Sequence, residues 1–181
     1  HAAARKGHPE VVRALIAAPA TVDLADHDGV TPLLFAARSG HHEVVTALLA
    51  ADANVDLATN DGATPLLMAS AYGHIEVVQA LLGAGAAVDL ANNSGSTPLS
   101  IAAQNGHLGV VEALLANGAD PNQARTDGTT PVYIAARFGH TPVCRILAAA
   151  GADFAARNSR FNATPAEMAR SCGHHETAAW L

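Results

Sequence analysis

Six histidines stand directly after a glycine: His8, His41, His74, His107, His140 and His174. The steps between them are 33, 33, 33, 33 and 34 residues. Imidazole is both a metal ligand and a general acid–base, so the series invites either chemistry. Zinc needs about four ligands within roughly 2.3 Å. Packed helices lie about 8–10 Å apart. Histidines one step apart cannot share an ion, and the neighbours His42 and His175 point elsewhere along their helices. A structural role is expected for the whole series, with no metal site.

Other reactive constellations fail on the same kind of test. There is no G-x-S-x-G elbow. Cys144 lies in "PVCRIL", where other units carry valine, and is expected in the core. Cys172, just before Gly173, is expected to be partly exposed and has no orienting partner in the sequence. "GAG" at 83–85 lacks the third glycine and the strand of a dinucleotide fingerprint. The only lysine is Lys6, which rules out a phosphate loop. Asp23, Asp56, Asp89 and Asp153 are spread along the units and are expected as loop hydrogen-bond acceptors, not a catalytic pair. No enzymatic activity and no cofactor are expected.

The elements that position these residues are themselves periodic. Thr-Pro occurs at Thr31, Thr64, Thr97, Thr130 and Thr164, ten residues before each of the last five histidines. Threonine is a good N-cap, and proline fits the first helical position, where its missing N–H costs nothing. About two helical turns follow, as in "PLLMASAY", and the glycine suits the left-handed residue that ends them. A second amphipathic helix comes next, as in "IEVVQALL". Asp28-Gly29, Asp61-Gly62, Ser94-Gly95 and Asp127-Gly128 predict tight hairpin turns of type I′, with Asn162 replacing the glycine in the last unit. The extra residue of the final step falls in that last turn region, "RNSRFNATP". Each helix is shorter than the roughly 12–15 residues at which an isolated helix becomes marginal. No unit can stand alone, so the units must stack as a solenoid.

Composition agrees. The chain has 181 residues, half of them apolar and only 14% charged, which excludes disorder. Aromatics are 4% and alanine is abundant, so close approach of helices replaces bulky packing. Ten basic residues against sixteen acidic give −6, and no basic run exists. Nucleic acid is therefore not an expected partner. No apolar run reaches about 18 residues, so membrane insertion is not expected. Two cysteines form no disulfide framework. An intracellular, cytoplasmic location is expected. No signal peptide opens the chain, and the missing initiator methionine suggests a fragment.

A 33-residue unit reading DGxTPL…AA…GH.EVV.ALL..GA.VD resembles the ankyrin repeat, over essentially the whole chain. The resemblance implies an all-α helical repeat solenoid with short β-hairpin fingers, each unit a finger plus two antiparallel helices. One repeat domain over 1–181 is expected, with units near 1–25 (partial), 26–58, 59–91, 92–124, 125–158 and a C-terminal cap at 159–181. The family's T-P-L-H histidine is present as His1 and becomes Leu34, Leu67, Ser100, Tyr133 and Glu167. The tie between units that this histidine makes in the family is therefore expected to be weaker or replaced by apolar packing.

The resemblance also implies a role: recognition of a protein or peptide through the finger tips and the exposed side of the first helix. The matching finger positions are His27, Asp28, Asn60, Asp61, Asn93, Ser94, Thr126, Asp127, Arg160 and Phe161, with Val30, Ala63, Ser96 and Thr129 beside them. The matching helix positions are Arg5, Lys6, Arg38, Tyr72, Gln104, Asn105, Arg137 and Phe138, with Ser39 and Ala71. These vary between units while their framework does not. The expected molecule is a monomeric, non-catalytic scaffold for an unidentified protein or peptide. Two other readings stand beside this one: a positioning segment of a larger enzyme, channel or effector, and an engineered binder. Differences among "TPLLFAA", "TPLLMAS", "TPLSIAA" and "TPVYIAA" favour a natural origin.

Overall fold

The computed structural model describes residues 1–18 and 20–181. Among these residues the chain forms twelve helices and no strand. They come in pairs: α1 (Ala2–Lys6) and α2 (Pro9–Ala17), α3 (Pro32–Ser39) and α4 (His42–Leu49), α5 (Pro65–Tyr72) and α6 (Ile75–Gly83). There follow α7 (Pro98–Asn105) and α8 (Leu108–Ala116), α9 (Pro131–Arg137) and α10 (Thr141–Ala149), α11 (Pro165–Ser171) and α12 (His175–Trp180). Each odd-numbered helix packs on the next odd-numbered one, and each even-numbered helix on the next even-numbered one. The result is two parallel rows.

The Thr-Pro signal acts as the sequence predicts. In α3, α5, α7, α9 and α11 the threonine hydroxyl accepts the N–H of the third helical residue, at 3.1–3.3 Å. That third residue is the substituted T-P-L-H position. Leu34, Leu67 and Tyr133 are buried there, so apolar packing has replaced the histidine. Ser100 and Glu167 instead return a bond to the threonine N–H, at 3.0 and 2.8 Å, completing reciprocal caps within the unit.

The fingers differ from the expected turn. Only the glycine takes a positive φ, for example 81° at Gly29 and 82° at Gly62, whereas a type I′ turn needs two such residues in succession. Gly29 N–H bonds to Asp26 C=O at 3.0 Å, and Asp26 N–H to Val30 C=O at 3.1 Å. This is a longer turn closed by a left-handed glycine. It leaves too few paired residues for strands, so the fingers are hydrogen-bonded turns. Asn162 takes the left-handed conformation in the last finger, with φ 47°.

Alanine sets the spacing of the front row. Ala36, Ala37, Ala69, Ala102, Ala103, Ala135 and Ala136 are fully buried between first helices. The second helices contribute the larger side chains, such as Val44, Leu48, Val77 and Leu81. Small residues let the first helices pack more closely on one another than the second helices do.

The two ends of the stack are unlike. Val11 and Leu15 are each 49% exposed, although their equivalents Val44 and Leu48 are 1% and 3% exposed. At the other end Arg170 is exposed at the position where the preceding units bury Ala4, Ala37, Ser70, Ala103 and Ala136. The N-terminal end presents an apolar surface around a cavity of about 80 Å³ lined by Ala4, Val12, Leu15, Ile16 and Val22.

Candidate binding face

The repeated histidines are joints. His41, His74, His107 and His140 each donate Nε2–H to a carbonyl of the preceding first helix: Arg5, Arg38, Ala71 and Gln104, at 3.0–3.1 Å. Each ring also covers the glycine of the preceding unit. Among the described residues no three His, Cys, Asp or Glu side chains gather where they could hold a metal ion.

Two further ties run beside this one. On the back, Asp23, Asp56 and Asp89 accept the N–H of Asn54, Ala87 and Asp120, at 3.0–3.3 Å. Asp153 does not belong to this series. Asn122 holds the equivalent position and accepts from Asp153 N–H at 2.7 Å. On the front, the fingers bond tip to tip. Asn60 N–H reaches Asp28 C=O and Asn93 N–H reaches Asp61 C=O, both at 3.0 Å, and Thr126 N–H reaches Ser94 C=O at 3.3 Å.

These ties engage part of the face that the sequence assigned to recognition. Asn60 and Asn93 donate their amides to His27 and Asn60 carbonyls, at 3.0 and 3.2 Å. Thr126 donates its hydroxyl to Ser94 C=O at 3.0 Å, and Asn105 its amide to Ala71 C=O at 2.8 Å. Ser94 bonds Asn92 at 2.8 Å, and Asp61 accepts from the Thr59 hydroxyl. Ala63, Ser96 and Thr129 are buried under the fingers.

What remains exposed has a consistent chemistry. Arg5 and Lys6 end α1, and Arg38 lies near the end of α3. Tyr72 is 50% and Phe138 46% exposed, one at the end of α5 and the other capping α9. The Arg38 guanidinium lies 5.7 Å from the Tyr72 ring centre, and Arg137 lies 5.8 Å from that of Phe138. Both rings stack on joint histidines, Tyr72 on His74 and Phe138 on His140, within 15° of parallel. In the last finger Arg160 sits 5.2 Å from the Phe161 ring centre. A groove of about 340 Å³ opens between the fingers of Asp28 and Asp61, with Leu34 and Met68 along it and Arg38 at its side.

One residue here escaped the sequence reading. Arg125 is half-buried at the base of the fifth finger and donates Nη2–H to Gln104 Oε1 at 2.8 Å. Burial lowers its pKa, and Asp127 opposes that. Asp127 itself is held below the usual carboxylate value, chiefly by hydrogen bonding from Thr129. Other units carry Asp26, Thr59, Asn92 or Asn158 at this register, whose side chains accept the finger's own N–H groups. An arginine among hydrogen-bond acceptors was the available signal.

The profile described as "Ankyrin repeats (3 copies)" matches residues 1–92, 51–125 and 99–181. The chain belongs to the ankyrin repeat family. Ankyrin repeats are in general protein–protein interaction modules. No curated protein matches the chain. Among the described residues of this ankyrin stack no helix is long and apolar enough to cross a membrane. The thiols of the ankyrin stack lie apart. Cys144 is fully buried, and burial pushes its pKa up to about 12. Cys172 is exposed, with its sulfur 3.6 Å from that of Met168.

Proposed function

We propose that this ankyrin stack is a non-catalytic scaffold that binds a protein or peptide on its inner face, formed by finger tips and first helices. The observation that carries this reading is a division of labour within each unit. The Thr cap holds the start of each first helix, and the Gly-His joint and the back-loop acceptor tie one unit to the next. Tyr72, Phe138, Arg38 and Arg137 lie on the same rows and are exposed, at positions whose residue type varies along the stack: Lys6, Ser39 and Asn105 match the aromatics, and Ala71 and Gln104 match the arginines. Aromatic and arginine side chains dominate the energetics of many interfaces. Rings fixed against histidines lose little freedom on binding, which favours association. The test compares crosslinked capture from a lysate of the source organism by the chain and by its Tyr72→Ala/Phe138→Ala variant, both verified as folded. A partner held only by the unaltered chain places the interface on this face. Equal capture by both moves it elsewhere.

A further inference from the structure

Charge is sorted between the two sides of the stack. Fingers and first helices carry eight of the ten basic residues and five of the sixteen acidic ones. Second helices and the loops behind them carry the other two and eleven. The front therefore has a formal charge of +3 and the back −9, within a total of −6. A random distribution would leave the front negative.

Most of the front cations are also unpaired. Among the described residues the ion pairs are Arg13–Glu10 on the back and Arg157–Glu167 on the front. Arg5, Lys6, Arg38, Arg137 and Arg160 are exposed, with no carboxylate at ion-pair distance. The front carboxylates are largely occupied. Asp26 accepts from the N–H groups of Asp28 and Val30, at 3.0 and 2.8 Å. Asp127 accepts from Thr129 N–H at 2.9 Å, Asp61 from the Thr59 hydroxyl, and Glu167 caps α11 and holds Arg157. A guanidinium lying over an aromatic ring keeps its N–H edges for a planar carboxylate. Arg38, Arg137 and Arg160 all lie close to a ring.

Taking this face as the one that binds, as proposed above, we infer that its partner is an acidic, extended protein segment with two groups of carboxylates. One group lies against Arg5, Lys6 and Arg38, the other against Arg137 and Arg160. A neutral stretch crosses Tyr72, Gln104 and Asn105 between them. Arg38 and Arg137 are three helix spacings apart, about 24–30 Å at 8–10 Å per packed pair. An extended chain at about 3.3 Å per residue spans that distance in roughly seven to nine residues. A nucleic acid fits less well. Its phosphates are evenly spaced, whereas the middle of the helix row carries Ala71 and Gln104, and Asp28, Asp61 and Asp127 line the finger edge.

The test is selection of a phage-displayed library of random sixteen-residue peptides on the folded chain. The tightest peptide is then made with a fluorescein label and titrated by anisotropy. Selected peptides should be enriched in Asp and Glu. Binding should weaken on the order of tenfold between low and about 0.3 M salt, because exposed charge pairs are screened. Arg38→Ala/Arg137→Ala should weaken it by a similar factor, while Glu76→Gln/Glu112→Gln on the back should not. Peptides lost with Tyr72→Ala/Phe138→Ala but lacking acidic enrichment and salt dependence would overturn the acidic partner and leave the face intact. Peptides indifferent to both front variants, or a selection yielding none that depends on either, would overturn the face and this inference together. A sixteen-nucleotide uridine RNA that binds more tightly than the selected peptide, and is lost with Arg38→Ala/Arg137→Ala, would transfer the cations to nucleic acid.

Discussion

The imidazole of His140 lies over Gly106. A Cβ added to that glycine would come within 2.8 Å of the ring, whose Nε2 is bonded to Gln104 C=O at 3.0 Å. Gly106 has φ 73°, so two constraints meet at one residue. The backbone needs a left-handed conformation, and the next unit needs the space. Gly7, Gly40, Gly73 and Gly139 stand in the same relation to the histidine that follows one unit later.

Gly85 separates the two constraints, since its φ is 85° and nothing lies within 4 Å of an added Cβ. Gly85→Ala should cost about 1–2 kcal/mol, the usual penalty for a left-handed residue with a Cβ. Gly106→Ala should cost at least about 1 kcal/mol more, because displacing the ring breaks a hydrogen bond of that order. Gly106→Val should be worse than either. Urea unfolding of the three variants checks the ranking. Equal costs for the two alanine variants would show that the ring yields freely.

Ser70 is fully buried, and its hydroxyl has no hydrogen-bond partner. The equivalent residues Ala4, Ala37, Ala103 and Ala136 have no hydroxyl to desolvate. Ser70→Ala should raise stability by about 1 kcal/mol, at the low end of the cost of an unpaired buried polar group. Thermal unfolding checks it, and a lower midpoint would reveal a partner for Ser70 in solution.

The ends of the stack should respond differently to truncation. Leu48→Ala removes a buried side chain and should cost about 2–5 kcal/mol. Leu15→Ala affects the equivalent position where it is half exposed, and should cost less than half as much. Denaturant midpoints of the two variants test this. Equal losses would indicate that Leu15 is covered in solution.

Stability should fall in alkali. Burial raises the pKa of Cys144 to about 12 and that of Tyr133 above its ordinary value. An unfolded thiol releases its proton from about pH 9. Above that pH the unfolded chain binds fewer protons than the native one, so stability declines as pH rises. The Cys144 contribution is lost between about pH 9 and 12, and Cys144→Val should flatten the decline. At neutral pH a maleimide should label only Cys172 in the native chain and both thiols in denaturant. Rapid labelling of Cys144 in the native chain would show that its site opens.

Much of this architecture is legible in the residues. Thr97-Pro98 and Gly106 bracket α7 through bonds that span three or four residues, so the signals lie in the stretch that folds. The burial of Cys144 followed from its register with valines in other units. The turn type was misread because Asp-Gly suits more than one turn, and the hydrogen bonds to the neighbouring finger help decide which forms. Asp153 is a loop acceptor as expected, for Ala155 N–H at 2.8 Å, but it lies in a different register from Asp23, Asp56 and Asp89, whose place Asn122 fills. Of the recognition face, the exposed Tyr72, Phe138 and arginines were readable by position. The engagement of Asn60, Asn93 and Thr126 in finger ties was not.

The sequence by itself determined the repeat length, the pairing of short helices, their caps and the need to stack. Each of these rests on interactions within one unit or on helices too short to persist alone. Only the tertiary structure decided that the histidines are joints, that Arg125 rests on Gln104, and that, among the described residues, Arg5, Lys6, Arg38, Arg137 and Arg160 stand outside any ion pair. Those facts depend on residues from about 20 to more than 150 positions apart, and it is the stacking of one unit on the next that brings them onto a common surface.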